Sequence, residues 1–427
     1  MVLYQHCVDT IHQHKKQVLD LGIYTLASVI PTALAVIVNP LIAMNMSPTD
    51  YAIVGYYTAF NLLISPFIDF YLLHYYTKRY FELSEDGRKE LKAVLVKVLI
   101  YFSLINALIS LGGLYLYIKL FNVETEIAFM PYAFFSVMSI PFIGLYSLTL
   151  TDYRMQRRSK DFFRLSVWSG LLGLSLVILL VILLKYGAYG KLLAPLLGNL
   201  IVFGYCFYNN RQLFKVKLNK LLFLDAIKFC YPLVLASMLS FFATGFDRVI
   251  LERQGNLAEL GFYVVGVQIA GYLSIVSTSI NNTFQPDIFE SVVHRDFRRC
   301  TRIIVVMVGF VSVVALVFIA LAPFLVNILT AGRYVASTKY AMIVALSSIT
   351  SMLYYSLSQV TVALGFTKIT LINKIIGGLL CIWMYSMLIS KWGAIGAAWG
   401  TVISFVLFFI GNAALIGLKM KFKHDKT

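Results

Sequence analysis

Lys185-Tyr186-Gly187-Ala188-Tyr189-Gly190 returns 206 positions later as Lys391-Trp392-Gly393-Ala394-Ile395-Gly396. Outward from that pair, Tyr146-Ser147-Leu148 returns as Tyr355-Ser356-Leu357 after 209 positions, and Phe81-Glu82 as Phe289-Glu290 after 208. Three matches in one order at nearly one offset indicate an internal duplication. In a membrane chain, duplicated halves put a substrate path at the interface between them. The repeat therefore points to transport before any site residue is named. The quoted hexapeptide itself reads as a hairpin turn. Lys suits a helix C-terminus, the aromatic ring sits at head-group level, and Gly accepts the left-handed cap.

The solvent for this chain is a bilayer. Hydrophobic residues make up 59% of it and charged residues 13%, far from a soluble protein. Stretches long enough to cross recur at 20–44, 52–73, 94–118, 127–150, 163–184 and 188–208. A second set follows at 226–250, 259–283, 303–329, 340–364, 368–390 and 394–418. The expected fold is all-α integral membrane, with twelve transmembrane helices in two parallel six-helix repeats around a central cavity. Six is even, so both repeats enter the membrane from the same side. The expected organisation is an N-terminal lobe over 1–208, a cytoplasmic linker over 209–228 carrying Arg211, Lys215, Lys217 and Lys220, and a C-terminal lobe over 229–427.

With the N-terminus cytoplasmic, 28 of the 36 Lys and Arg fall on the inner side and 8 on the outer. The positive-inside rule therefore orients both termini to the cytoplasm. The net charge of +16 is mostly this topology signal plus attraction to anionic lipid heads. Split among short loops, it is no nucleic-acid footprint. The first span is too long for a signal h-region and reads as an uncleaved helix. Cys7, Cys206, Cys230, Cys300 and Cys381 fall in the membrane or on the cytoplasmic side, which indicates no disulfide framework. No phosphate-binding Gly-rich loop and no zinc motif is present, so no cofactor or metal is expected. Among the histidines, His12 and His14 form the one close pair, and they read as solvated.

Polar side chains inside hydrocarbon need a partner or water, so their spacing identifies cavity-lining faces. Span 1 carries Thr25, Ser28, Thr32 and Asn39; span 2 carries Tyr57, Asn61, Ser65 and Asp69. Span 7 carries Ser237, Ser240, Thr244 and Asp247; span 8 carries Ser274, Thr278, Asn281 and Gln285. Each set follows helical spacing and forms one stripe. Spans 1 and 2 correspond to 7 and 8 across the repeat. Polar faces on equivalent helices suit a cavity between lobes, although any one stripe also suits bonding between packed helices.

Charges inside spans are few. Asp69 reads either as a proton or cation site or as an acid near a helix end, paired with Lys78 or a neighbour. Lys97 and Lys374 lie one or two turns inside spans 3 and 11. They read as cavity cations for an anionic head group or as snorkelling side chains. Asp247-Arg248 closes span 7 as a local ion pair or a gate contact, and Arg248 is the cation best suited to a phosphate. Pro31, Pro40, Pro66, Pro141 and Pro232 permit bends in spans 1, 2, 4 and 7.

Two stretches carry a resemblance. Ser47-Pro48-Thr49-Asp50-Tyr51-Ala52 resembles the first outer turn of polysaccharide flippases of the multidrug/oligosaccharidyl-lipid/polysaccharide exporter superfamily. Phe246-Asp247-Arg248-Val249-Ile250-Leu251 with Glu259-Leu260-Gly261-Phe262-Tyr263 is similar to the turn between spans 7 and 8 there. Gly332-Arg333-Tyr334 and the second copy of the hexapeptide fit as well. The resemblance implies two six-helix lobes around a cavity bounded by spans 1, 2, 7 and 8. It also implies the substrate, an undecaprenyl-diphosphate-linked oligosaccharide turned from the inner to the outer leaflet.

The expected function is thus a flippase for an O-antigen, capsule or exopolysaccharide unit in the bacterial inner membrane, working by alternating access. It is expected to be no enzyme. Its expected partners are the lipid-linked oligosaccharide, membrane lipids, a coupling ion (proton or sodium) and a polysaccharide polymerase. A drug/cation antiporter of the same superfamily is the alternative, and it calls for essential acids within a lobe. A lipid II flippase is a third relative, and a membrane polysaccharide polymerase a reading of another class.

Overall fold

A computed structural model describes residues 23–24, 26–27, 29–120, 127–216 and 219–424. Thr25, Ser28, Cys7, Lys217, His12 and His14 lie outside the described residues. Every regular element among the described residues is helical. In chain order these are α1 (Val29–Met44), α2 (Pro48–Asp69), α3 (Leu72–Arg79), α4 (Glu85–Leu120), α5 (Tyr132–Met138), α6 (Pro141–Met155), α7 (Ser159–Val177) and α8 (Gly187–Asn210). There follow α9 (Lys220–Met238), α10 (Phe241–Thr244), α11 (Phe246–Glu252), α12 (Leu257–Gly271), α13 (Leu273–Val293), α14 (Phe297–Leu329), α15 (Thr338–Ala363) and α16 (Thr367–His424).

Among the described residues ten helical segments are long and apolar enough to cross a membrane. The shorter α1 adds a crossing, and α16 is two helices joined at Gly393, where φ is 54° and ψ −135°. Together they make the twelve expected. The apolar surface is inverted relative to a soluble protein. α14, with a mean hydropathy of 3.1, leaves Val305, Phe310, Val313 and Phe324 57–63% exposed. Such a face is stable only against lipid. The chain is a multi-pass membrane protein.

The repeat is visible in how helices start. Ser47 and Asp50 open α2 with a reciprocal capping box. The Ser47 N–H donates to Asp50 Oδ2 at 2.8 Å and the Asp50 N–H donates to Ser47 Oγ at 3.1 Å. At an offset of 209, Asn256 Oδ1 accepts the Glu259 N–H at 3.0 Å and opens α12. The hexapeptide behaves as the hairpin expected. Lys185 and Gly187 have φ of 56° and 51°, and Gly393 has 54°. The last glycine of each copy sits against a carbonyl. A Cβ at Gly190 would lie 2.8 Å from Leu180 O, and one at Gly396 2.1 Å from Leu388 O. No other residue fits either place without moving backbone.

Packing divides the described chain into two compact units. The first contains α1, α3 to α8 and α9 as far as Val234, with the end of α2 from Ile64. Its core joins Tyr75, Tyr76, Leu95, Leu99, Leu148 and Cys206. The second contains Met46–Leu63 and the chain from Leu235 onward. Its core joins Tyr263, Tyr340, Tyr354, Tyr385, Phe405 and Phe408. A buried Thr–Asn hydrogen bond occurs in each unit: Asn210 to Thr149 at 3.4 Å, and Thr361 to Asn412 at 3.2 Å. Of the expected linker 209–228, α8 reaches Asn210, a 3-10 turn covers Arg211–Lys215, and α9 begins at Lys220. Cys206, Cys230, Cys300 and Cys381 are buried free thiols.

Two spans break where prolines alone would not have placed the break. Span 2 runs through Pro66 and ends at Asp69, because Phe70 and Tyr71 both adopt φ of 53°. Span 7 runs through Pro232 and breaks first at Leu239-Ser240 and again at Gly245. Pro141, by contrast, starts α6 and separates it from α5.

Candidate functional site

The break in span 7 frees backbone carbonyls inside the membrane, and each needs a donor. Lys374 of α16 donates to Ala236 O at 2.8 Å and to Ser240 Oγ at 2.9 Å. Tyr385 donates to Ala243 O at 2.8 Å, and Ser404 to the same oxygen at 3.3 Å. With its break held from α16, the chain restarts as α11, and Asp247 and Arg248 fall in its first turn.

Both residues line a cavity of about 540 Å³ within the second unit. The break contributes Thr244, Asp247 and Arg248 to its wall. α13 contributes Ser274, Thr278 and Asn281 from the stripe, with Ser277 beside them. The stripes of spans 7 and 8 thus meet in one chamber. α15 adds Ser347, Ser348, Ser351 and the ring of Tyr355, and Thr401 comes from α16. The wall is rich in hydroxyls and carries one acid and one guanidinium.

Asp247 is 2% exposed. Its Oδ2 accepts a hydrogen bond from the Tyr263 hydroxyl, which also lies 3.4 Å from Thr401 Oγ1. Tyr385 reaches the same Thr401 oxygen at 3.4 Å. Among the described residues the other carboxylate oxygen, Asp247 Oδ1, has no hydrogen-bond partner, and neither do Arg248 Nε, Ser277 Oγ and Asn281 Oδ1. Four buried polar atoms in residues that line one cavity are a large departure from the usual satisfaction of buried groups. They supply two acceptors, one donor and one hydroxyl able to do either. That set matches a polar, hydroxyl-bearing or anionic ligand.

The other expected site residues are placed elsewhere. Asn61 is half-buried in the second unit, next to Leu62, which lines the cavity. Thr32, Asn39, Ser65 and Asp69 belong to the first unit, with Asn39 buried and Thr32 exposed. Asp69 Oδ1 accepts the Tyr71 N–H at 3.1 Å, across the left-handed break that ends α2. Lys97 donates to the Val216 carbonyl, again within the first unit. Lys374 binds the span 7 break and is not part of the cavity wall.

Sequence reasoning passed over three groups. Ser348, Ser351 and Tyr355 follow i, i+3, i+7 on span 10, the same signal that identified the other stripes. Thr401 stands alone among small residues and gave no signal. Asp152, two positions past the expected end of span 4, is 3% exposed. It accepts from Lys92 at 2.6 Å, Tyr76 at 2.6 Å and Gln156 at 2.9 Å. Burial, and then that hydrogen bond, push the Tyr76 hydroxyl well above its usual range.

Comparison with known proteins sets this site in context. A family model described as polysaccharide biosynthesis protein matches residues 18–292. A Haemophilus influenzae (strain ATCC 51907 / DSM 11121 / KW20 / Rd) protein described as an uncharacterized membrane protein is 26% identical over 341 residues, 77% of this chain and 79% of that one. The lipid II flippase MurJ in an inward closed conformation matches with a TM-score of 0.69 at 17% identity, over 92% of this chain and 87% of that one. An inward-facing multidrug resistance MATE family transporter of the MOP superfamily matches with a TM-score of 0.69 at 13% identity, over 93% and 95%. A MOP superfamily transporter from Pyrococcus furiosus Vc1 (DSM3638) matches with a TM-score of 0.63 at 11% identity, over 94% and 95%. These structural likenesses are likenesses of fold.

Proposed function

Because the chain belongs to the polysaccharide biosynthesis protein family, we propose that it is a flippase. It moves an undecaprenyl-diphosphate-linked oligosaccharide from the inner to the outer leaflet of the bacterial inner membrane by alternating access, with both termini cytoplasmic and a polysaccharide polymerase downstream. It performs no covalent chemistry in this reading. The observation that carries it is the cavity of the second unit, whose hydroxyl-rich wall holds polar atoms without partners inside membrane-spanning helices. Sugar hydroxyls meet Ser277, Thr278, Asn281 and Thr244. The Tyr355 ring offers a stacking face. Arg248 meets the diphosphate, because a guanidinium presents paired donors to phosphate oxygens.

The remaining site residues take roles outside the wall of this cavity. Thr32, Asn39, Asn61 and Ser65 line the path of the sugars. Lys97 and Lys374 serve as further cations for the diphosphate once they leave their carbonyl partners. An acid in the membrane is by default a functional group, so Asp247 and Asp69 are the candidates to carry the coupling ion.

The likeness in fold to the lipid II flippase MurJ supports a lipid-linked substrate. The buried Asp247 favours one other reading, a drug/cation antiporter, in which a cationic ligand and the coupling ion share the acid.

The test is to delete the gene in its own host and follow lipid-linked oligosaccharide. Build-up of complete units on the inner leaflet, rescued by the wild-type chain and not by Arg248→Ala, is the expected result. No build-up, with altered sensitivity to cationic drugs instead, refutes the flippase in favour of the antiporter.

A further inference from the structure

Asp247 and Arg248 are consecutive residues, yet both face one cavity. A helix normally turns neighbours about 100° apart. Both lie in the first turn of α11, which restarts after Gly245, and the cavity is lined by both. Neither side chain satisfies the other through Asp247 Oδ1 or Arg248 Nε, since both atoms lack a partner. A buried acid and a guanidinium that share a space without pairing leave two opposite binding capacities side by side.

We propose that this cavity takes up an anionic phosphoryl group and a monovalent cation together, the anion at Arg248 and the cation, proton or sodium, at Asp247. The inference rests on the flippase reading and deepens it. It makes the substrate's anionic group and the coupling ion co-ligands of one site, not competitors for it.

The argument is one of charge. The titratable groups facing Asp247 are the Tyr263 hydroxyl from α12, the Tyr385 hydroxyl from α16 and Arg248 on its own helix. Tyr355 of α15 is a further ionisable lining group. Lys374, the cation on α16, is turned to Ala236 and Ser240 instead. The fixed charges of the cavity are therefore one negative and one positive. An anion arriving at Arg248 meets the carboxylate charge in a space where water screens little. A cation at Asp247 removes that repulsion. In reverse, a cation arriving alone at Asp247 meets the guanidinium, and a bound anion removes that repulsion too. Linkage is reciprocal, so each ligand tightens the other by the same factor. For charges separated by adjacent side chains at an effective dielectric constant of about 20, the factor is about ten- to a hundredfold. The same guanidinium opposes a cationic drug, which makes exchange of drug for ion the disfavoured use of this site.

The test uses the full chain in lipid nanodiscs and potassium pyrophosphate as the probe, with affinity read by calorimetry. In potassium buffer at mildly alkaline pH, Asp247→Asn binds about ten- to a hundredfold more tightly than wild type. The ratio of the two affinities cancels the probe's own titration. That ratio closes toward one as pH falls if the cation is a proton, or as sodium replaces potassium if it is sodium. Arg248→Gln loses the anion in both backgrounds. Equal affinities for wild type and Asp247→Asn overturn the proposal, and so does weakening of anion binding by the cation.

Should Asp247→Asn fail to fold, the wild-type chain alone decides with potassium sulfate, which does not titrate in this range. Tightening on acidification or with sodium supports co-binding, while a flat or falling affinity overturns it. A deletion strain that accumulates lipid-linked oligosaccharide while the cation linkage is absent keeps the flippase and removes the co-ligand proposal.

Discussion

Replacing Lys92 by Met should destabilise the protein, and adding Asp152→Asn should then restore part of the loss. The Lys92–Asp152 pair is close, at 2.6 Å, with the two side chains 20% and 4% exposed. At an effective dielectric constant of about 20 the direct attraction is about 6 kcal/mol. Desolvation of the two ions offsets most of it, so the net value of the intact pair is small. Removing one partner is different, because it strands a buried carboxylate, and that costs about 3–5 kcal/mol. Asp152 retains its bonds from Tyr76 and Gln156, which sets Lys92→Met at the low end, about 3 kcal/mol.

In wild type, Asp152→Asn loses the ion pair and costs about 2 kcal/mol. In the Lys92→Met background it removes the stranded charge while the amide oxygen still accepts from Tyr76, and it returns about 2 kcal/mol. One substitution thus changes sign with its background. The assay is a double-mutant cycle on unfolding free energy in mixed micelles. Additive effects, or a Lys92→Met loss below about 0.5 kcal/mol, refute the reasoning.

Three further outcomes follow from the same geometry. Gly396→Ala costs more than Gly190→Ala, about 3 kcal/mol or more against about 1–2, because the added Cβ meets a carbonyl at 2.1 Å in one place and 2.8 Å in the other; melting temperatures rank them. Asn256→Ala removes the cap on the Glu259 N–H and costs about 1 kcal/mol, read by the same melts, and Asn256→Asp costs almost nothing. Burial holds the Tyr334 hydroxyl up at about 12, so its contribution is whole below about pH 10 and disappears as pH rises toward 12. Tyr334→Phe flattens that alkaline decline, and a wild-type decline of the same steepness in the mutant contradicts the assignment.

What the sequence displayed was decided by periodicity and local chemistry. Ser47 with Asp50 falls in the stretch that resembles an outer turn and forms a cap, while the cap of Asn256 on Glu259 was passed over. The hexapeptide read as a hairpin because its glycines need positive φ or close approach, and both needs are met. Thr244, Asp247, Thr278 and Asn281, which helical spacing puts on two stripes, line one cavity, and Arg248 beside Asp247 lines it too. Span 10 was equally legible, yet its Ser348–Ser351–Tyr355 stripe was passed over. Other features depend on tertiary partners and leave no local trace. Asp152 is buried because Lys92 and Tyr76, 60 and 76 positions away, converge on it. Lys374 looked like a free cation because nothing in its own helix reveals that span 7 breaks beside it.

That break is where fold and function meet. Pro232 removes one backbone donor, but α9 runs on to Met238 without interruption. The helix fails later, at Leu239-Ser240 and Gly245, where the exposed carbonyls of Ala236 and Ala243 are taken by Lys374, Tyr385 and Ser404. Inside hydrocarbon a broken helix is tolerated only where neighbouring side chains meet the freed groups. Apart from the Ser240 hydroxyl, 3.4 Å from Ala236 O, the donors come from α16, so α16 holds the break after which Asp247 and Arg248 are placed. The break reorients the whole of α11, and Asp247 and Arg248 turn with it as a pair. Lys374, read from the sequence as a cavity cation or a snorkelling side chain, holds the backbone at the break from which α11 restarts with its acid and guanidinium.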